Sequence, residues 1–87
     1  MAISGTGIGV VKFTSNGTVT GLKQVAYVRW VGATAAGHTA ELKDANGEEW
    51  WAGEADGPNF TDVHPIYRQI NGLVVTLSSG SVYAYLR

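Results

Sequence analysis

The chain contains no cysteine, so neither a disulfide nor a thiolate metal site can reinforce it. Charge is scarce: 15% of the 87 residues are charged, against about 25% in an average soluble protein. The six basic residues, Lys12, Lys23, Arg29, Lys43, Arg68 and Arg87, are never adjacent. With no basic stripe for a phosphate backbone, nucleic acid is disfavoured as a partner. No apolar run is long enough for a membrane-spanning helix, and no membrane partner is expected. No stretch of ten or more residues carries a 3.6-residue period, which removes a helical bundle. Segment 1–9 has no basic residues and no long apolar run, so it does not read as a signal peptide. Without a secretory signal, Asn16-Gly17-Thr18 and Asn59-Phe60-Thr61 are read as turns and not as glycosylation sites.

What is present favours pleated structure. Val, Ile and Thr take 22 positions and glycine 12. Hydrophobic residues, at 45%, allow one domain with an adequate but thin core, since a chain of this size buries only about 60–65% of its unfolded surface. Contacts with a partner are one way to make up the difference. The low charge fits a surface covered by another molecule. It fits equally a surface solvated by Thr, Ser, Asn and Gly.

Residues 1–9 read as a flexible Gly-rich arm, and residues 10–87 as a single antiparallel β domain. Asn16-Gly17 predicts a hairpin between Val10–Thr14 and Thr18–Leu22. Gln24–Val31 is the longest clean strand and is expected at the centre of the sheet. Alternation puts Ala26, Val28 and Trp30 on one face and Val25, Tyr27, Arg29 and Val31 on the other. The turn Asp44-Ala-Asn-Gly47 predicts a second hairpin of Thr39–Lys43 with Glu48–Ala52, with Ala40 and Leu42 inward. Segment 53–62 reads as the longest loop. Pro65 confines Val63–Ile70 to an edge strand or a short helical turn. Ser78-Ser-Gly-Ser81 predicts a third hairpin of Gly72–Leu77 with Val82–Leu86, leaving Val74, Thr76, Tyr83 and Tyr85 on one outward face. The fold class is therefore all-β, a small antiparallel sandwich or barrel of six or seven strands built from consecutive hairpins.

The residues that could carry chemistry do not converge. His38 and His64 are the only histidines, and neither lies in a nucleophile pattern, so no enzyme activity and no catalytic residue is expected. Asp62-x-His64 with Glu54 and Asp56 reads as a solvated loop rather than a metal site. Asp44-Ala-Asn-Gly-Glu48 lacks the length of a calcium loop. No cofactor or metal is expected. Trp50 and Trp51, adjacent in a strand, point to opposite faces. If Glu48 is solvated, Trp50 is the exposed ring, suited to a protein hot spot or a sugar platform beside Glu48, Glu49, Glu54 and Asp56, or else covered by the 53–62 loop. Tyr83 and Tyr85 share a face, suited to packing on a second sheet, to a subunit interface or, less well, to base stacking.

The segments Val25-Ala-Tyr-Val-Arg-Trp-Val-Gly32, Ala40-Glu-Leu-Lys-Asp-Ala-Asn-Gly47 with Trp50-Trp51, Gly72-Leu-Val-Val-Thr-Leu77 and Gly80-Ser-Val-Tyr-Ala-Tyr-Leu86 together resemble small β-rich virion proteins of tailed bacteriophages. The resemblance covers residues 25–86 and defines no functional residues to carry over. It implies a structural role, foremost a capsid decoration (cement) protein on the head lattice, otherwise a tail or connector component. The partners it implies are the major capsid protein or other virion proteins, and further copies of the chain. The location it implies is the virion, assembled in the bacterial cytoplasm. On that reading the candidate contact residues are Trp50, Trp51, Tyr83 and Tyr85, with Ile3 and Ile8 in an arm that orders on its partner. The rival is a small carbohydrate-binding module using Trp50 or Trp51.

Overall fold

The structure is a computed structural model and describes residues 2–4 and 9–87, of residues 2–4 the backbone only. Seven strands follow in chain order: β1 (Ala2–Ser4), β2 (Val10–Phe13), β3 (Gly17–Ala33), β4 (Thr39–Lys43), β5 (Glu49–Glu54), β6 (Phe60–Leu77) and β7 (Ser81–Leu86). All pairings are antiparallel, in the order β1-β2-β7-β3-β6-β4-β5. The protein is all-β, as its composition predicts.

Two long strands organise the whole. β3 and β6 pair along almost their full lengths, but each shares only one half with a further neighbour. Val25–Val31 of β3 lies beside β7, while Val74–Leu77 of β6 lies beside β4. The halves bend where their register slips, between Val19 and Leu22 and between Val25 and Tyr27, as bulges bend strands elsewhere. The single sheet thus folds on itself, as in a small sandwich or open barrel, into two layers that share β3 and β6. One layer is built on β2 and β7, the other on β4 and β5. Between them lie Val11, Phe13, Val28, Trp30, Val82 and Ala84 from the first, and Leu42, Trp51, Ile70, Leu73 and Val75 from the second, all buried. Trp30 meets Trp51 edge-on across the layers at 6.0 Å.

The second expected hairpin forms, its second strand displaced to Glu49–Glu54 by a bulge at Leu42–Lys43, with Leu42 opposite Trp51 and Ala40 buried. The other two do not. Val10–Phe13 pairs with β7 and β1, not with Thr18–Leu22. Ser81–Leu86 inserts between β2 and β3 and does not pair with Gly72–Leu77. In both places the turn residues do reverse the chain, but the reversal carries it from one layer to the other. Asn16 clasps the first crossing, its Oδ1 accepting from the Leu77 N–H at 2.9 Å. Gly80 makes the second possible: its φ is +83°, and a Cβ there would overlap the Val31 carbonyl oxygen.

Three smaller expectations are also corrected. The bulge after Val25 turns that side chain to the core, on the side of Val28 and Trp30. The loop expected over 53–62 shortens to 55–59, because β5 runs to Glu54 and β6 starts at Phe60. Val74 and Thr76 lie in the β4 layer, away from Tyr83 and Tyr85. The ambiguous segment Val63–Ile70 is strand, and among the described residues no strand pairs with its outer side. Pro65, which has no N–H to donate, sits in that free edge.

Candidate functional site

The outward face of the β2–β7–β3 layer gathers the most unusual side chains. Register places Lys12 beside Tyr83 and Tyr83 beside Arg29, with Tyr85 beside Tyr27 in the next row. The Tyr27 and Tyr85 rings stack at 4.4 Å, and Tyr83 continues the ladder at 6.3 Å from Tyr85. Two cations address the Tyr83 ring: Lys12 Nζ at 5.5 Å and Arg29 Cζ at 5.0 Å from its centroid. Each such contact contributes about 0.5–1 kcal/mol at a half-exposed site. The face is half-buried throughout, and the Arg29 Nε is buried with no hydrogen-bond partner among the described residues. Strands β2, β3 and β7 contain no Asp or Glu. Neither cation forms an ion pair among the described residues.

This ladder presents phenol edges and cationic donors outward, because the rings spend their faces on one another and on the cations. A base-stacking platform needs free ring faces, and here they are occupied. The chemistry offered is donation to acceptor-rich, anionic groups, alongside flat aromatic contact area.

The tryptophan pair divides as the alternation rule requires. Trp51 is a core residue at 5% exposure, a correction to its candidacy as a contact residue. Its indole N–H donates to Asp62 Oδ2 at 3.0 Å. Trp50 is half-buried and donates to Asp44 Oδ2 at 3.2 Å, while the Arg68 guanidinium lies 5.8 Å from its ring centroid. A sugar platform needs an open indole face, and neither ring lies free and flat on the surface.

Asp44 accounts for the turn before β5. Its carboxylate accepts from the backbone N–H groups of Asn46 and Glu48 at 2.8 and 3.0 Å as well as from Trp50. Burial alone would raise this carboxyl. The hydrogen bonds from Glu48, Trp50 and Asn46 outweigh it and hold the group below the usual carboxylate range.

Sequence reasoning missed one polar cluster. His38 Nδ1 lies 3.0 Å from Ser78 Oγ, and His38 Nε2 lies 3.3 Å from Thr34 Oγ1. Ser78 Oγ also accepts from the Thr39 N–H at 3.0 Å. No carboxylate orients the imidazole, so the cluster clasps the loop after β3 to the turn before β7. His64 is exposed, and among the described residues no three acidic or histidine side chains converge on a metal-sized site. On the outer face of the other layer, an open groove of about 500 Å³ is flanked by Thr39, Glu41, Glu54 and Thr76. Ile3 lies in β1, paired opposite Val11, and Ile8 lies outside the described residues.

No known protein family and no curated protein matches the sequence. Among solved structures, that of the infectious bursal disease virus Gt strain is similar at 10% identity and a TM-score of 0.29. The similarity covers 97% of this chain but only 28% of that one.

Proposed function

We propose that this protein is a non-catalytic assembly subunit that attaches through the tyrosine–cation face of β2, β3 and β7. The observation that carries the reading is Tyr83 flanked by Lys12 and Arg29, beside the stacked Tyr27 and Tyr85. Tyrosine and arginine are the side chains enriched where proteins dock, because they bring large contact area with few rotors to immobilise. The sparse charge of the chain fits a subunit covered by neighbours. The resemblance to small phage virion proteins gives the reading its setting: a decoration (cement) protein on the head lattice, contacting the major capsid protein, with a tail or connector component as the alternative. The carbohydrate reading is weaker, since Trp51 is buried and Arg68 lies over Trp50.

Light scattering on a size-exclusion column, over a wide concentration range, tests the reading. The wild type is expected to form a discrete oligomer, and replacing Tyr83 and Tyr85 together by serine should abolish it while circular dichroism stays unchanged. A wild type that remains monomeric at every concentration would overturn assembly through copies of this chain.

A further inference from the structure

The charges of this chain are strongly segregated. All seven carboxylates (Glu41, Asp44, Glu48, Glu49, Glu54, Asp56 and Asp62) lie between residues 41 and 62, and five of the six basic residues lie outside that span. Six of the seven lie on the β4–β5 hairpin, at one end of the strand order, and the loop after it; Asp62 is at the start of β6. Lys12 stands on β2, next to the other end, and Arg29 on the central β3, both on strands without a single carboxylate. Two of the seven carboxylates are committed internally: Asp44 to its turn and Asp62 to Trp51. Glu48, Glu49, Glu54 and Asp56 are exposed, and Glu41 is tied only to Lys43, at 3.7 Å.

We infer that the occupant of the tyrosine–cation face is the β4–β5 hairpin of a second copy of this chain, docked head to tail. This rests on the assembly reading above and, of the partners that reading implies, assigns this face to a second copy in place of the major capsid protein. A face-to-face dimer would set Lys12 and Arg29 against their own images with no anion between them. Like charges so placed repel and disfavour that arrangement. Docking on the hairpin instead brings Glu54 and Glu41, beside the 500 Å³ groove, toward those cations. Because the face and the hairpin are built on different strands, a docked pair keeps one of each free, the hairpin of one copy and the face of the other. Such heterologous contacts propagate, closing into a ring or continuing as a stack.

Sedimentation velocity at low and high salt, with charge-reversed variants, tests this. The wild type should form dimers and larger species at low salt that dissociate as salt shortens the range of the attraction to a few Å. Lys12→Glu and Arg29→Glu, each blocking the face, should be monomeric, as should a Glu41→Lys, Glu54→Lys double variant, which blocks the hairpin. A mixture of Lys12→Glu with that double variant should reassociate, since one intact surface remains on each. That mixture also shows that both proteins are folded. If the wild type associates but the hairpin variant associates equally well, the head-to-tail contact is wrong while assembly through the face stands. If the wild type is monomeric under every condition, the head-to-tail contact and assembly through copies of this chain both fall, while docking of the face on a capsid protein stands.

Discussion

The indole N–H of Trp51 and the Asp62 carboxylate, eleven residues apart, meet at 3.0 Å and tie β5 to the start of β6. These two strands are not register partners anywhere along their lengths. The bond therefore does what a strand ladder does elsewhere, holding the acidic hairpin against the long strand. It sits over Trp30, whose ring contacts both Trp51 and Phe60.

Removing the acceptor should be costly. Asp62→Ala leaves a buried indole N–H without a partner, and a loss of about 1–3 kcal/mol is expected in urea unfolding. The same substitution in a Trp51→Phe background should cost less, because no orphaned donor remains. Equal costs in the two backgrounds would show that the bond contributes nothing.

The Asp44 turn predicts an acid-sensitive hairpin. Its carboxyl is held below its ordinary value of 3.8 in the folded state, so its stabilising contribution is present above that pH and is lost as pH falls through the lower, folded value. Thermal melts from pH 5 downward should show a decline that Asp44→Asn removes in part. A variant with the wild-type acid profile would rule Asp44 out as a source of it.

Gly80 should be irreplaceable. Gly80→Ala adds a methyl against the Val31 carbonyl and 2.9 Å from the Ala33 nitrogen, at a φ of +83°. A loss of about 2 kcal/mol or more is expected from strain and overpacking together. Gly47→Ala, with a similar φ but open space around it, should cost only the conformational part. Similar losses at the two sites would remove the steric argument.

Tyr67 offers a gain. It is 62% exposed and holds a φ of +49°, unusual for a residue with a Cβ. Tyr67→Gly should relieve that conformation and raise stability by roughly 0.5 kcal/mol, after the entropy of the added glycine is deducted. A clear loss of stability would show that the ring makes a contribution its exposure conceals.

Period-two alternation was enough to identify most of what this chain builds: strands throughout, Ala40 and Leu42 turned inward, one tryptophan of the pair buried, and Gln24–Val31 at the centre. These are local consequences of side-chain geometry, and no partner strand is needed to derive them. The pairings were another matter. Asn16-Gly17 and Ser78–Ser81 are turns in both readings, but a turn states only that the chain reverses. Whether the next strand pairs or crosses to the facing layer depends on which apolar faces must meet, and Phe13 and Val11 are buried with Val82 and Ala84. Lys12 therefore reaches Tyr83 only through a pairing between strands separated by most of the sequence. The same holds for the charges. Their clustering between Glu41 and Asp62 is written in the chain, but that the β4–β5 hairpin and Lys12 lie toward opposite ends of the strand order follows from the long-range pairings of β3 and β6.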